Sequence, residues 1–353
     1  MLITAKKNKM SPILAKGFFI FAIISFFFVP LTFAGKAKIK GGQAAMKLFE
    51  HYSNTLKGKT VVWIPMALGF PLMDGWTQVM KEEAKNVGFN FIMRDGNWDS
   101  NLQQQAMNAL IPQKPDIMIV HPPDVSVLTN LIKKAEKAGI YVIQVNMLSK
   151  YVSDGYVGVN WADVGRLMAE EVVKKCGKGT NTSHKVAINQ GEESSAGNIY
   201  QLQGAMKVFN THPDIKIVAN LPTGWLSKKA YENTAVIIQK HPDLCASVGF
   251  WGFMQLGAIQ AIKEAKLTGK VLVYAGGGGS QVICDNVADG GFSAYWNFDT
   301  MGQGRDIINM AKILLQSDVP PGGHTQALFS PISVITKENA DTACWVYQPN
   351  KGK

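Results

Sequence analysis

Charge is sparse and cysteine scarce in this chain: Asp, Glu, Lys and Arg make up 18% of its 353 residues, and only four are Cys. It has no low-complexity tract and no glycine period, which excludes disordered and collagen-like classes. Cys176, Cys245, Cys284 and Cys344 stand far apart, with no C-x-x-C spacing and no close His, so neither a zinc site nor a catalytic thiol is expected. A Gly-x-Ser-x-Gly elbow, an H-E-x-x-H pair and a dinucleotide glycine fingerprint are all missing. Gly276 to Gly279 run into Ser280-Gln281 without the Gly-Lys-Ser/Thr that a phosphate loop needs. Glu192 and Glu193 are a conspicuous carboxylate pair, but as sequence neighbours they need not face each other, and paired acid–base chemistry is weakly supported. Taken together these absences argue against an enzyme, a resident metal and a cofactor.

One long apolar run is present, and it stands at the start. Lys6, Lys7, Lys9 and Lys16 lead into Gly17 to Leu31, and Thr32-Phe33-Ala34 ends the segment with small residues where a signal peptidase reads. At about 15 apolar residues the run falls short of the roughly 20 that a spanning helix needs. Residues 1–34 therefore read as a cleaved export signal, and no later stretch is apolar enough to cross a bilayer. Export places the four cysteines in an oxidising compartment, where zero, one or two disulfides and any of three complete pairings remain open. Removing the signal takes away four lysines and no acid, lowering the formal charge from +10 to +6. No aromatic-interleaved basic stripe accompanies that charge, so nucleic acid is not an expected partner.

From residue 60 onward, short Val/Ile-rich runs alternate with amphipathic stretches. Strands are expected at Lys59–Pro65, Phe89–Met93, Asp116–Val120 and Ile140–Val145. Helices are expected at Met73–Val87, from Asp99 or Ser100 to Leu110, and at Val125–Ala138. A second series runs through helix Ala162–Lys175, strand Lys185–Asn189, helix Ser195–Asn210, strand Ile215–Leu221, helix Leu226–Lys240, strand Ala246–Phe250, helix Met254–Ala265, strand Lys270–Ala275 and helix Gln281–Ala288. Strand Gly291–Asn297, helix Met301–Leu315 and an extended run at Phe329–Ile335 complete it. Two similar α/β halves follow, with parallel sheets covered on both faces and ligand sites outside the strand carboxyl ends.

Those strand ends carry polar and aromatic residues: Phe70-Pro71, His121-Pro122-Pro123-Asp124, Asn146, Gly191-Glu192-Glu193, Trp225, Trp251 and the tetraglycine. Met118–Asn146, Cys245–Ala265 and Phe292–Ile307 resemble periplasmic sugar-binding proteins of the ribose-binding type, the solute receptors of ABC importers; the resemblance covers roughly residues 58–335. It implies two doubly wound parallel-sheet lobes joined by three crossovers near residues 159–161, 295–297 and 327–329. The lobes would comprise 35–160 with 297–328, and 161–296 with 329–353. It further implies a monomer in the periplasm that takes a monosaccharide or sugar alcohol and presents it to a membrane permease.

Carried over by position, ligand contacts fall on Phe70, His121, Asn146, Asn160, Glu192, Asn198, Trp225, Trp251, Gly276, Trp296 and Asn297. Several depart from the resembled pattern. Asn146 stands where that pattern has Asp, Asn198 near its Arg, Trp251 at its Asn, Gly276 at its Asp and Trp296 at its Gln. The result is fewer charged partners and more aromatic surface, so specificity is not inherited. Trp faces suit the C–H side of a sugar, and Asn and His edges suit its hydroxyls; an aromatic cage would also suit a quaternary amine. Trp98 lies in the loop beyond the second strand, where it either closes over the ligand or leaves Asp99 to cap the next helix. A chemosensory receptor with no transport role shares every one of these features.

Overall fold

Strand β1 (Thr60–Ile64) shows how alternation builds the layers. Val61 and Trp63 enter one core while Val62 and Ile64 enter another on the opposite face of the same sheet. The first core is closed by helices α2 (Pro71–Val87) and α10 (Thr300–Leu315), through Trp76, Met80, Ile307, Ile308 and Ala311. The second is closed by α3 (Ser100–Leu110) and α4 (Thr129–Lys137), through Met107, Leu110 and Ile132. The computed structural model describes residues 42–344, so the expected export signal at residues 1–34 lies outside them. Of the compact unit Met1–Lys47, only the start of α1 (Gly42–Leu56), a helix the sequence pattern did not suggest, is described; both sheets lie in the unit that begins at Leu48.

The first sheet joins β1 to β2 (Asn90–Met93), β3 (Ile117–Val120), β4 (Tyr141–Val145), β5 (Gly155–Gly158) and β11 (Gln326–Phe329), in the order β2-β1-β3-β4-β5-β11. The second joins β6 (Lys185–Gln190), β7 (Lys216–Pro222), β8 (Ala246–Gly249), β9 (Leu272–Gly278), β10 (Ala294–Phe298) and β12 (Ile332–Ile335), in the order β7-β6-β8-β9-β10-β12. The two orders are the same. All pairings are parallel except β10 with β12, and the central strands β3 and β8 are buried along their whole length. Helices α5 (Trp161–Cys176) and α6 (Ala196–Phe209) cover one face of the second sheet; α7 (Ser227–Lys240), α8 (Gly252–Glu264), α9 (Gln281–Ala288) and the short α11 (Ala340–Ala343) cover the other. This is the expected architecture of two doubly wound lobes.

The chain passes between the sheets three times: at Val159–Asn160, at Asp299, and at Ser330–Pro331. The last two lie one to four residues beyond the expected positions. β10 stays hydrogen-bonded to β9 as far as Phe298↔Gly278, and β11 to β5 as far as Phe329↔Gly158. The single extended run expected at Phe329–Ile335 is thus the end of one strand and the whole of another, in different sheets. Helix α4 starts four residues later than the pattern suggests. The Asp124 carboxylate accepts from Ser126 N (2.5 Å) and Val127 N (2.8 Å), holding a turn, and Val125 N donates instead to Ser194 O of the other half at 3.1 Å.

Of the three pairings open to the cysteines, the structure has Cys176–Cys245 and Cys284–Cys344, both within the second lobe. The first ties the end of α5 to the start of β8, and the second ties α9 to the segment that follows α11. They enclose sequence separations of 69 and 60 residues, loops for which chain entropy gives about 4 kcal/mol each. Replacing Cys284 and Cys344 together by Ser should lower the unfolding free energy by about 2–5 kcal/mol, read from urea transitions monitored by Trp fluorescence. An unchanged midpoint would remove the bridge from the account of stability.

Candidate functional site

The carboxyl ends of the central strands of both sheets face one cleft, the place where doubly wound sheets bind ligands. At its centre lies a cavity. From the first lobe come Met66 beyond β1, Leu72 and Met73 from the first turn of α2, Trp98, His121 directly after β3, and Asn146 directly after β4. From the second come Trp161 and Gly197 from the first turns of α5 and α6, Gln201, Trp225, the Phe250-Trp251 pair after β8, Gly277 and Phe298. None of the lining residues is Asp, Glu, Lys or Arg.

The polar groups in this apolar shell share an unusual property. His121 is 2% exposed and neither ring nitrogen has a hydrogen-bond partner among the described residues. Its ring stands edge-on to Trp76 at 5.5 Å, whose Nε1 is likewise buried and unpartnered. Asn146 is 3% exposed with Oδ1 unpartnered, while its carbonyl accepts from Trp161 Nε1 (2.6 Å) and Tyr156 Oη (3.1 Å). Gln201 donates from Nε2 to Gly197 O (2.8 Å) and Phe250 O (3.1 Å), leaving Oε1 unpartnered; Trp225 Nε1 is buried and unpartnered too. Buried polar atoms are nearly always bonded, so this cluster presents donors and acceptors together. Burial pushes the His121 imidazole down to about 3, which keeps the ring neutral.

Local backbone holds these groups in place. Asn146 (φ 62°) and Trp225 (φ 64°) both occupy the left-handed region, which Asn tolerates and a Trp rarely adopts. The Trp225 ring lies flat on Gly191, where a Cβ would fall 2.2 Å from ring carbons, so only glycine lets the indole reach the cavity. Gly277 (φ 147°) is similarly required, since a Cβ there would meet Tyr295 Oη at 2.7 Å and Trp251 at 3.2 Å.

The expected contact residues separate into two sets. His121, Asn146, Trp225 and Trp251 line the cavity, and so does Trp98; Asp99 caps α3 by accepting from Asn101 N through its carboxylate. Phe70 lies just outside, its ring 5.3 Å from Trp98 and 6.2 Å from Trp251. The others lie elsewhere. Asn160 is exposed and caps α5, accepting from Asp163 N at 3.3 Å. Glu192 is exposed beside Ser194. Asn198 is buried but committed to the end of β6, accepting from Gly191 N (2.8 Å) and donating to Gln190 Oε1 (2.9 Å). Gly276 faces Val164 in the core. Trp296 packs edge-on against Tyr274 on the α5 side of the sheet. Asn297 is fully buried with its amide unpartnered, yet does not line the cavity.

Gln201, Trp161, Met147, Phe250 and Phe298 are lining residues that strand-end reasoning missed. Gln201 had a signal, since it stands one helical turn beyond Gly197 and on the same face. Among the described residues no group of His, Cys, Asp and Glu could hold a metal ion, and no helix is long and apolar enough to cross a membrane.

A second cavity shares Trp98, Trp225 and Trp251 with the first and adds Phe70, Leu226 and Phe253.

Comparison with known proteins agrees with this geometry. The ribose import binding protein of Bacillus subtilis is 23% identical over 261 residues, covering 73% of this chain and 81% of the relative. The D-apiose import binding protein of Actinobacillus succinogenes is 24% identical over 219 residues, covering 60% and 67%. Among solved structures, a periplasmic solute-binding protein of an ABC transporter from Actinobacillus succinogenes with bound D-allose superposes with a TM-score of 0.69 at 24% identity, over 81% of this chain and 99% of that one. Residues 61–318 match the periplasmic binding protein domain, and since that span is most of the chain, the chain belongs to that family.

Proposed function

We propose that the protein is the exported solute receptor of an ABC importer, and that it captures a small uncharged polyhydroxylated solute, a monosaccharide or sugar alcohol, between its lobes. The observation that carries this reading is the uncharged cavity in which His121, Asn146, Gln201 and Trp225 offer unpartnered donors and acceptors between aromatic walls. Sugar hydroxyls satisfy such groups, and Trp faces take the C–H side of the ring. Relatives named as binding proteins for ribose, allose and apiose support the ligand class. Micromolar affinity requires about 8 kcal/mol, within reach of a few such bonds and stacked rings once water is excluded.

The lobes close by bending where the chain crosses between them, a motion for which periplasmic binding proteins are a standing example. We draw the moving bodies at Val159–Asn160, Asp299 and Ser330–Pro331 rather than at residues 297 and 328. Export through residues 1–34, action as a monomer in the periplasm and hand-over to a membrane permease complete the proposal. No step needs covalent chemistry, a cofactor or nucleic acid.

Four tryptophans in the wall, Trp98, Trp161, Trp225 and Trp251, favour one rival, a quaternary ammonium ligand held by cation–π attraction. Two features oppose it. The lining contains no carboxylate. In addition, α2, α5, α6 and α8 all turn their N-terminal ends to the cavity, each contributing a lining residue from its cap or first turn. Each such end carries roughly half a positive charge.

In a thermal-shift screen of residues 35–353, neutral sugars and polyols should raise the melting temperature; a ligand at one hundred times its Kd adds about 2.7 kcal/mol. Stabilisation by choline or betaine alone would reverse the ligand class. Trp225→Ala should weaken sugar binding by about 1 kcal/mol or more. Wild-type affinity should stay level from pH 8 to pH 5, because His121 takes up a proton only as the pH falls toward about 3. A titration step near pH 6.5 would show that the His121 ring is not the neutral group described.

A further inference from the structure

We infer that the ligand carries a flat apolar group outside its hydroxylated ring, and that the outer cavity formed by Phe70, Trp98, Trp225, Leu226, Trp251 and Phe253 is the subsite for it. The inference rests on the sugar-receptor reading above and adds a second, separately testable part to it. The outer space adjoins the inner one, and Trp98, Trp225 and Trp251 line both.

Three observations point to the occupant. First, the walls are apolar: apart from the Ser227 hydroxyl no side chain there donates or accepts except through an indole, so a second sugar ring would leave most of its hydroxyls unbonded. Second, the wall is a cluster of aromatic rings packed edge to face, Phe70 on Trp98 at 88° and Trp225 on Trp251 at 84°. A further flat apolar ring adds to such a cluster by the same edge-to-face contact. Third, the protein tolerates unfavourable conformations to hold these rings at the rim. Asn97-Trp98 and Gly224-Trp225 are each two successive left-handed residues (φ 46° and 60°, 59° and 64°). Residues in such conformations persist where the surrounding structure over-determines them, characteristically at ligand sites. Trp98 is 45% exposed and Leu226 58% exposed, apolar surface that an apolar substituent would remove from water. Phe70 and Trp98 belong to the first lobe and the other four residues to the second, so the substituent would bridge the lobes and favour closure.

The test is isothermal titration with D-ribose, D-allose and D-apiose, and with the methyl and phenyl β-glycosides of each. For at least one sugar the phenyl glycoside should bind at least tenfold tighter than the methyl glycoside. The double variant Leu226→Ser/Phe253→Ser should abolish that difference and leave the free sugar's affinity within twofold, which also shows that the variant is folded. Free sugars that bind while no phenyl glycoside gains over its methyl counterpart would overturn the subsite and leave the sugar reading standing. A gain that survives in the double variant would overturn it as well. If no sugar or glycoside binds, the receptor reading fails and the subsite fails with it.

Discussion

The cleft depends on one constraint: a polar atom taken out of water without a partner costs about 1–3 kcal/mol. His121, Asn146, Gln201 and Trp225 each bear such an atom around a single cavity. A fold tolerates that concentration of unmet donors and acceptors only if something else meets them. Hydroxyl groups do so without bringing a charge, and the lining has no ionised side chain. The aromatic walls then act in two ways. They exclude water, which strengthens every hydrogen bond formed inside, and they offer faces to the C–H side of a ring.

The arrangement that brings those atoms together is a repeated one. Each sheet has its first two strands in reversed order, so each has a switch point, and the chain crosses often enough to set the two switch points opposite each other. Side chains that follow β1, β3 and β4 meet side chains that follow β6, β7 and β8, although no linker is long enough for the halves to be independent. Two disulfides stiffen the second lobe, and the first lobe has no bridge among the described residues. The crossings remain short segments of backbone, suited to bending as a unit.

Much of this architecture was legible in the sequence because parallel strands buried on both faces leave a strong signal, as in Ile117–Val120. The site was legible where a side chain stands at or within a few residues of its strand's carboxyl end, as His121, Asn146, Trp225 and Trp251 do. Where a single residue of register decides the matter, position alone failed. Gly276 and Gly277 are neighbours, yet successive strand residues face opposite ways, and only Gly277 reaches the cavity. Trp296 and Phe298 share a face, but only Phe298 lies far enough along β10. Asn160 and Asn198 had the right chemistry and were committed to a helix cap and a strand end, while Trp161 and Gln201 beside them reach the cleft. The cysteine pairing and the exact crossing points depend on distant contacts that no local pattern records.

The most direct test of the account is the indole N–H signal of Trp225 in a ¹H–¹⁵N correlation spectrum, assigned through Trp225→Phe and followed while D-ribose, D-allose or D-apiose is added. The account predicts that at least one of these neutral sugars moves that signal downfield in a saturable way, as a hydrogen bond forms to Nε1. A signal that no neutral sugar moves, but that choline or another ammonium ligand does, would contradict it.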